Sequence, residues 1–324
     1  MGDALLREPS AVLVEDTVPR GRSPRRPATG RRRGGGTRPY VPYLFLLPGI
    51  ALFGVFFAWP AVLAVETAFT NYSIVNPTRW VGLGNFTALW HDAEFHGAIV
   101  HSFIVMVGLL PFSVIIPIAL ATLVNRAVRG IQFFRALYFL PVVTSMVAVA
   151  VAWNYVFDDR GVLNWILERL HVTDGPIHFL LDQHWALASV IVVEGWKGVG
   201  TYMMIFLAGL QSISGDLHEA AQLDGAGAWQ RFSRITLPLL RPYIAVAVTI
   251  ELVNAMQVFT SVYVLTQGGP GGHTETAGYF VWSKAFQHFQ LGYASASGIV
   301  IWVILVVLAL VNYRITNRGE AQPW

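Results

Sequence analysis

Six stretches of about 20 mostly apolar residues dominate this 324-residue chain. They run Tyr43–Ala64, Ala98–Leu123, Ala136–Val156, Trp185–Leu210, Pro242–Leu265 and Ala294–Tyr313. A helix of that length crosses the hydrocarbon core of a bilayer. Within lipid every backbone N–H and C=O must find a partner inside the protein, which favours helices for runs this long. The expected fold is an all-α membrane protein with six transmembrane helices. Pro48, Pro111 and Pro117 lie inside these stretches. Neighbouring helices can satisfy the carbonyls they free, so kinks are expected rather than breaks.

Composition agrees. Only 13% of the residues are charged and 54% are hydrophobic, against about 25% charged in a soluble domain. Mean hydropathy is +0.52. There is no cysteine, which excludes disulfides, thiolate catalysis and Cys-ligated metals.

Charge sets the expected orientation. Residues 1–40 hold nine Arg against Asp3, Glu8, Glu15 and Asp16. Segment 1–39 is rich in Arg, Gly and Pro and lacks apolar periodicity, so a disordered cytoplasmic tail is expected there. It reads as a membrane-adjacent anchor and not as a nucleic-acid arm. It is not read as a signal peptide, because the first long apolar stretch starts near Tyr43 and no small-residue cleavage site follows. With the N-terminus inside, Arg126, Arg129, Arg135, Arg231, Arg234, Arg241, Arg314 and Arg318 join the tail on the inner side. Arg79, Arg160, Arg169 and Lys284 fall outside. The positive-inside rule then places both termini in the cytoplasm. The expected organisation is the tail 1–39, a six-span domain 40–313, and a cytoplasmic C-terminal tail 314–324.

The inner segment 212–241 between the fourth and fifth stretches has its own signals. Asp216 with Glu219 three residues on reads as a capping box. Ala220, Ala221 and Leu223 favour a short helix. Asp224-Gly225 is a stop signal. A second short helix follows, with Trp229, Phe232 and Thr236 on one face. A helix, a glycine turn and a second helix can dock into a partner's groove. A plain capped helix fits the same residues.

Further residues single out a family. Glu219-Ala220-Ala221, Asp224-Gly225, Ile235 and Leu237-Pro238 resemble the cytoplasmic EAA loop of binding-protein-dependent ABC importer permeases. The fuller run, with Trp229-Gln230, Phe232 and Ile235-Thr-Leu-Pro-Leu-Leu240, is similar to the carbohydrate-uptake group. Trp80-Val-Gly-Leu-Gly-Asn-Phe86, Phe139-Leu-Pro141, Thr266-Gln-Gly-Gly-Pro270, Thr274-Glu275-Thr276 and Gly292-Tyr-Ala-Ser-Ala296 extend the resemblance over residues 40–313. They look like the first, maltose-type permease subunit. The resemblance implies a type I permease bundle in a bacterial inner membrane. It implies a second permease subunit, two ATPase subunits docked on the EAA loop, and an extracytoplasmic sugar-binding protein. The ATP and Mg²⁺ belong to the ATPase subunits, and no cofactor is expected in this chain.

Other signals are discounted. His218-Glu219-Ala-Ala-Gln222 lacks the second His of a zinc-protease motif. No phosphate-binding Gly-x-x-x-x-Gly-Lys-Ser/Thr loop occurs. His91, His96 and His101 are scattered around a helix by their spacing. Asn71-Tyr-Ser and Asn85-Phe-Thr fit the glycosylation pattern, which is short and commonly idle. Neither a catalytic nor a metal site is expected.

Ionisable groups at bilayer depth are costly and face cavities or partners. Glu194, Lys197 and Tyr202 lie in the fourth stretch, with Trp196 nearby, and Glu251, Asn254 and Gln257 follow one face of the fifth. These six are the expected substrate path, since planar polar groups and aromatic faces suit sugars. The alternatives are an intrahelical Glu194–Lys197 ion pair and an Asn254 bridge between helices. A competing function, an ion-coupled secondary transporter, would use Glu194 or Glu251 as a proton relay.

Overall fold

The computed structural model describes residues 41–74, 77–125 and 130–317. The tail 1–39 and the residues after Asn317 lie outside the described residues. Two units are distinguished, residues 1–54 and 55–324. The first supplies α1 (Val41–Phe53), which contains Pro48. From Tyr43 to Phe53 its large apolar side chains are exposed, as a helix that is apolar all round requires a lipid or protein surrounding.

A π-helical turn (Gly54–Ala58) precedes α2 (Trp59–Ala68). Then come α3 (Gly84–His91), α4 (Ala93–Leu110) and, across a π-turn opened by Pro111, α5 (Ile116–Val124). Next are α6 (Ile131–Val143), α7 (Met146–Phe157), α8 (Val162–Arg169) and α9 (Ala186–Ser212). The loop region holds α10 (Gly215–Leu223), α11 (Ala228–Arg231) and α12 (Leu237–Leu239). Finally come α13 (Arg241–Met256), α14 (Thr260–Leu265), α15 (Ala277–Trp282) and α16 (Leu291–Asn317). Among the described residues the β-structure is a single bridge, Thr70 to Trp80.

Four helical runs are long and apolar enough to cross a membrane: Tyr43–Ala68, Ala93–Val124, Ala186–Ser212 and Leu291–Ile315. Two further candidates are bent pairs. Ile131–Val143 meets Met146–Arg169 at 99°, and Ala228–Leu239 meets Arg241–Met256 at 61°.

Two expected spans are not continuous. The stretch Ala136–Val156 breaks at Thr144 and Ser145, which are extended (ψ 142° and 134°). Pro141 in the last turn of α6 has no N–H to continue the ladder. The stretch Pro242–Leu265 breaks at Gln257–Phe259. There the freed Val258 carbonyl accepts a 2.6 Å hydrogen bond from Thr276 Oγ1. The expected Asp216 N-cap is also corrected. Ser214 caps α10, its Oγ accepting from the Asp216 amide, and Asp216 sits inside the first turn.

Three apolar clusters hold the second unit. One joins α4, α7, α9, α14 and α15 through residues such as Val105, Val149, Val190 and Val262. A second joins α5 to the C-terminal half of α9 and to Leu240 and Ala247. A third joins α2, α3, α4, α15 and α16. Polar staples cross between helices. Asn312 Nδ2 donates to Ala245 O and Thr249 Oγ1, joining α16 to α13. Arg135 Nη2 donates to Val124 O at the C-terminal end of α5, where a cation is favoured. The Asn85 amide donates to the carbonyls of Ala68 and Thr70, so that sequon asparagine is a structural staple.

α9 is buried along most of its length, and its glycines admit neighbours. Gly200 lies so close to α6 that a Cβ there would strike the Tyr138 carbonyl and Phe139 Cα. Small residues at such crossings let backbones approach. Gly200→Ala should lower stability by about 1–3 kcal/mol, because backbone cannot move aside as a side chain can. Gly198→Ala, whose Cβ would meet only the Tyr202 ring at 3.5 Å, should be nearly neutral. Thermal unfolding in detergent checks the pair; equal midpoints would show that α6 and α9 separate freely.

Candidate functional site

Residues flanking both helix breaks line one cavity of about 360 Å³. Val142 and Met146 come from the first break; Gln257, Val258, Phe259 and Thr260 come from the second. All six residues expected to line a substrate path are on its wall: Glu194, Lys197, Tyr202, Glu251, Asn254 and Gln257.

α9 serves both breaks from one turn. Lys197 Nζ donates to Val142 O at 3.4 Å, in the last turn of α6. The Glu194 carboxylate accepts from Ser261 Oγ, in the first turn of α14. Lys197 thus reaches the C-terminal turn of α6, where a cation is favoured, and Glu194 reaches a side chain in the first turn of α14. The alternative Glu194–Lys197 ion pair is not formed: the ion pairs among the described residues are His178–Asp159, His184–Asp182 and Lys284–Glu94. The alternative Asn254 bridge is present. Asn254 Nδ2 donates to Tyr202 Oη at 3.3 Å, joining α13 to α9.

Along α13 the polar face is graded. Glu251 is buried, while Asn254 and Gln257 are open to the cavity. The aromatic wall is Phe259, stacked at 5.5 Å on Tyr263. The sequence pointed to Tyr202, which is also on the wall, and to Trp196, which packs edge-on against Trp153 instead. Phe259, Ser261 and Val142 escaped sequence reading because their places depend on where the helices break.

Segment 212–241 forms a second locus. α10 ends in a complete Schellman motif: Gly225 N–H bonds to Gln222 O, Ala226 N–H bonds to Ala221 O, and Gly225 has φ +81°. Arg231 Nη1 donates to Gln222 Oε1 at 3.0 Å, tying the two short helices together. Gln222, the residue that spoils the zinc-protease pattern, is thus a structural acceptor. Phe232 and Leu240 anchor the segment to the second apolar cluster, and Thr236 is buried. Glu219, Ala220, Asp224, Gly225 and Leu237 are exposed; Ala221, Ile235 and Pro238 are half-buried. Leu223 is 90% and Trp229 75% exposed, the latter against Phe232.

A third locus was not singled out as a site from the sequence. Lys284 Nζ donates to Glu94 Oε2, joining the turn after α15 to α4. Tyr293 Oη donates to Asp92 Oδ2, joining α16 to the N-cap of α4. Beside them Glu275 is buried, its backbone oxygen in contact with His101 Nδ1 at 3.0 Å. Burial pushes the Glu275 carboxyl up to about 7, with Glu94 and Asp92 adding and Lys284 opposing. Burial also pushes Asp92 up, but hydrogen bonds from Tyr293 and the amides of Phe95 and Glu94, with Lys284 nearby, outweigh it and hold Asp92 below its ordinary value.

A helical membrane protein whose broken spans enclose a polar cavity is the architecture of a solute permease. Residues 84–319 match the family "Binding-protein-dependent transport system inner membrane component", and the chain belongs to that family. It is an inner-membrane ABC importer permease. The probable ABC transporter permease protein YurN of Bacillus subtilis is 34% identical over 286 residues, covering 87% of this chain and 98% of YurN. The lactose transport system permease protein LacF of Rhizobium radiobacter is 31% identical over 276 residues, covering 84% and 92%. A solved bacterial alginate ABC transporter, in complex with an alginate pentasaccharide-bound periplasmic protein, superposes with a TM-score of 0.76 at 27% identity, covering 88% and 96%. The comparisons give no support to an ion-coupled secondary transporter.

A buried carboxyl whose native pKa exceeds its unfolded value stabilises the fold when protonated. That contribution is complete below the ordinary value of 4.5 and is lost as pH rises through about 7. Glu275→Gln keeps the shape without the charge. It should raise the unfolding midpoint by ~2–4 °C at pH 8, the size of about 1 kcal/mol in a domain of 150–250 residues, and leave it unchanged at pH 4. Equal shifts at the two pH values would contradict the burial argument.

Proposed function

We propose that this chain forms half of the translocation pathway of an ATP-driven sugar importer. In this reading its core, residues 40–313, crosses the membrane six times, with α6 and α7 together making the third span and α13 and α14 the fifth. Segments 1–39 and 314–324 are cytoplasmic tails. The other half of the pathway is a second permease subunit. Two ATPase subunits supply ATP and Mg²⁺ chemistry, an extracytoplasmic binding protein delivers sugar, and this chain catalyses no reaction itself.

The observation that carries the reading is the bared tip of segment 212–241. Leu223 and Trp229 are large apolar side chains left almost uncovered beside Glu219, Ala220, Asp224 and Gly225. Exposed apolar groups on a rigid, hydrogen-bonded unit fit a protein interface. Ala221, Ile235, Leu237 and Pro238 shape the base of that unit. A closing ATPase dimer would move it as one body, and the cavity would change the side to which it opens. The lactose permease and the alginate transporter among its relatives support a carbohydrate cargo. Glu194, Lys197, Tyr202, Glu251, Asn254 and Gln257 are the proposed pathway lining.

Gly225 gives the sharpest test. Among the described residues nothing beyond its own chain neighbours lies within 4 Å of a Cβ placed there, so apart from the backbone strain that φ +81° puts on any L side chain added bulk meets only a partner. Gly225→Asn tolerates positive φ and should fold and retain most uptake. Gly225→Glu should fold, yet lose at least about tenfold in ATP-dependent uptake, equivalent to ~1.4 kcal/mol of docking energy. It should also co-purify with less ATPase. Normal uptake by Gly225→Glu would refute the docking role.

A further inference from the structure

Two apolar grooves run along α16, and their chemistry differs. One, shared with α2, is lined by small residues, among them Ala61, Ala64, Ala294, Ser295 and Gly298. Small residues let another helix approach closely. The second lies between α13 and α16 and has a volume of about 600 Å³. Its walls are larger side chains, Val246, Ile250, Val306, Leu310 and Tyr313, all exposed. The polar groups within it are spent on one another. Asn312 Nδ2 donates to Ala245 O and Thr249 Oγ1, and Thr249 Oγ1 donates to Ala245 O. What remains is an almost wholly apolar face, suited to a hydrocarbon chain.

One end of this groove is charged. Asn312 lies level with Ala245, so Pro242 and Tyr313 mark the same end. Arg241 precedes Pro242 and Arg314 follows Tyr313, and both arginines are exposed. Neither takes part in an ion pair among the described residues. Arg241 opens α13, where the helix itself disfavours a cation; an anion from outside the chain would offset it. A tyrosine beside basic residues at the end of a span is the arrangement of a membrane interface.

We propose that the groove between α13 and α16 binds an anionic phospholipid of the inner leaflet, one acyl chain along the groove and the phosphate at Arg241 and Arg314. Basic pockets between spans on the cytoplasmic side suit such headgroups. The small-residue groove is the better seat for a helix of a second permease. The proposal rests on the reading of α13 and α16 as spans whose Arg241 and Arg314 ends face the cytoplasm.

The absence of cysteine in this chain allows a single fluorophore to report on the groove. Val307→Cys, exposed on α16 beside the groove, and Val100→Cys, exposed on α4, each receive a bimane. Val307 is roughly 10 Å along α16 from Arg314. The transporter, purified with cysteine-free partners, is reconstituted into liposomes. Quenching by dibrominated phosphatidylglycerol and by dibrominated phosphatidylcholine, over a range of mixtures, gives the relative affinity for the two lipids. At Val307 phosphatidylglycerol should be preferred at least about fivefold, equal to ~1 kcal/mol, the attraction of one basic group near an anionic surface. At Val100 the ratio should be near unity. Arg241→Gln with Arg314→Gln should bring the Val307 ratio near unity, whereas Arg241→Lys with Arg314→Lys, which keeps the charge, should preserve most of it. A ratio near unity at Val307 in the parent, a preference that survives the glutamine pair, or an equal preference at Val100 would overturn the proposal. Quenching at Val100 with none at Val307 would also overturn it, showing the groove covered by protein, and would leave the spans standing. If aqueous iodide quenches both positions and neither brominated lipid does, the spanning reading fails and the lipid site with it.

Discussion

The fold depends on what becomes of backbone carbonyls where a helix stops inside the membrane protein. An unpaired carbonyl in an apolar surrounding costs several kcal/mol. Two of the expected spans stop, at Thr144–Ser145 and at Gln257–Phe259, and at each a neighbouring side chain takes up a carbonyl. Thr276 Oγ1 reaches Val258 O, and Lys197 Nζ reaches Val142 O. The cavity lies at these breaks, where side chains no longer follow a helical surface and polar groups are needed in any case. Irregular backbone is tolerated at such depth when protein or a cavity surrounds it. The polar wall and the broken helices are thus one feature.

This places Lys197 in a new light. As one residue among apolar neighbours, an intramembrane lysine reads as a ligand for the cargo. In the structure its ammonium meets a helix C-terminus, three residues from a glutamate that reaches a side chain in the first turn of α14. Glu194 and Lys197, at i and i+3 on α9, do not pair with each other; they fasten two different helices to α9. Removing either would leave a broken helix end without its polar partner as well as altering the cavity.

Much of the architecture was legible in the sequence because length and apolarity are local properties. The stretches Tyr43–Ala64, Ala98–Leu123, Trp185–Leu210 and Ala294–Tyr313 correspond to the helical runs Tyr43–Ala68, Ala93–Val124, Ala186–Ser212 and Leu291–Ile315, with ends displaced by a few residues. Residues 194, 197, 202, 251, 254 and 257 were gathered by the same local logic, polar groups in apolar stretches, and they do share one wall. Two breaks were not legible. Pro141 looked no different from Pro48, Pro111 or Pro117, yet only Pro141 precedes a turn to 99°. Pro48 stays inside a helix, and the chain passes Pro111 through a π-turn. Which proline breaks a helix depends on whether a neighbour supplies donors, a tertiary fact. Likewise Ser214 outcompeted Asp216 for the cap, since either residue type serves and only the entry path of the chain decides. Phe259 and Ser261 joined the site for the same reason, being placed by a break that no local pattern announces.

α9 connects the two proposed working parts. Its 27 residues make a rod of ~40 Å, with Glu194 and Lys197 near its middle and Ser212 at the edge of the exposed loop. Gly195, Gly200 and Gly209 allow Phe112, the α6 backbone and Tyr243 to press directly on it. Packing of that density does not deform gradually; it shifts between discrete arrangements. A tilt of α9 would therefore carry Glu194 and Lys197 with it, and through Ser261 and Val142 would move both broken ends together. The loop at one end of α9 need only be displaced as a body, for which its Schellman turn and its Gln222–Arg231 bond equip it. On that proposal the breaks would act as hinges, and the side chains that reach them, Lys197 on the Val142 carbonyl and Glu194 on Ser261, would hold them closed.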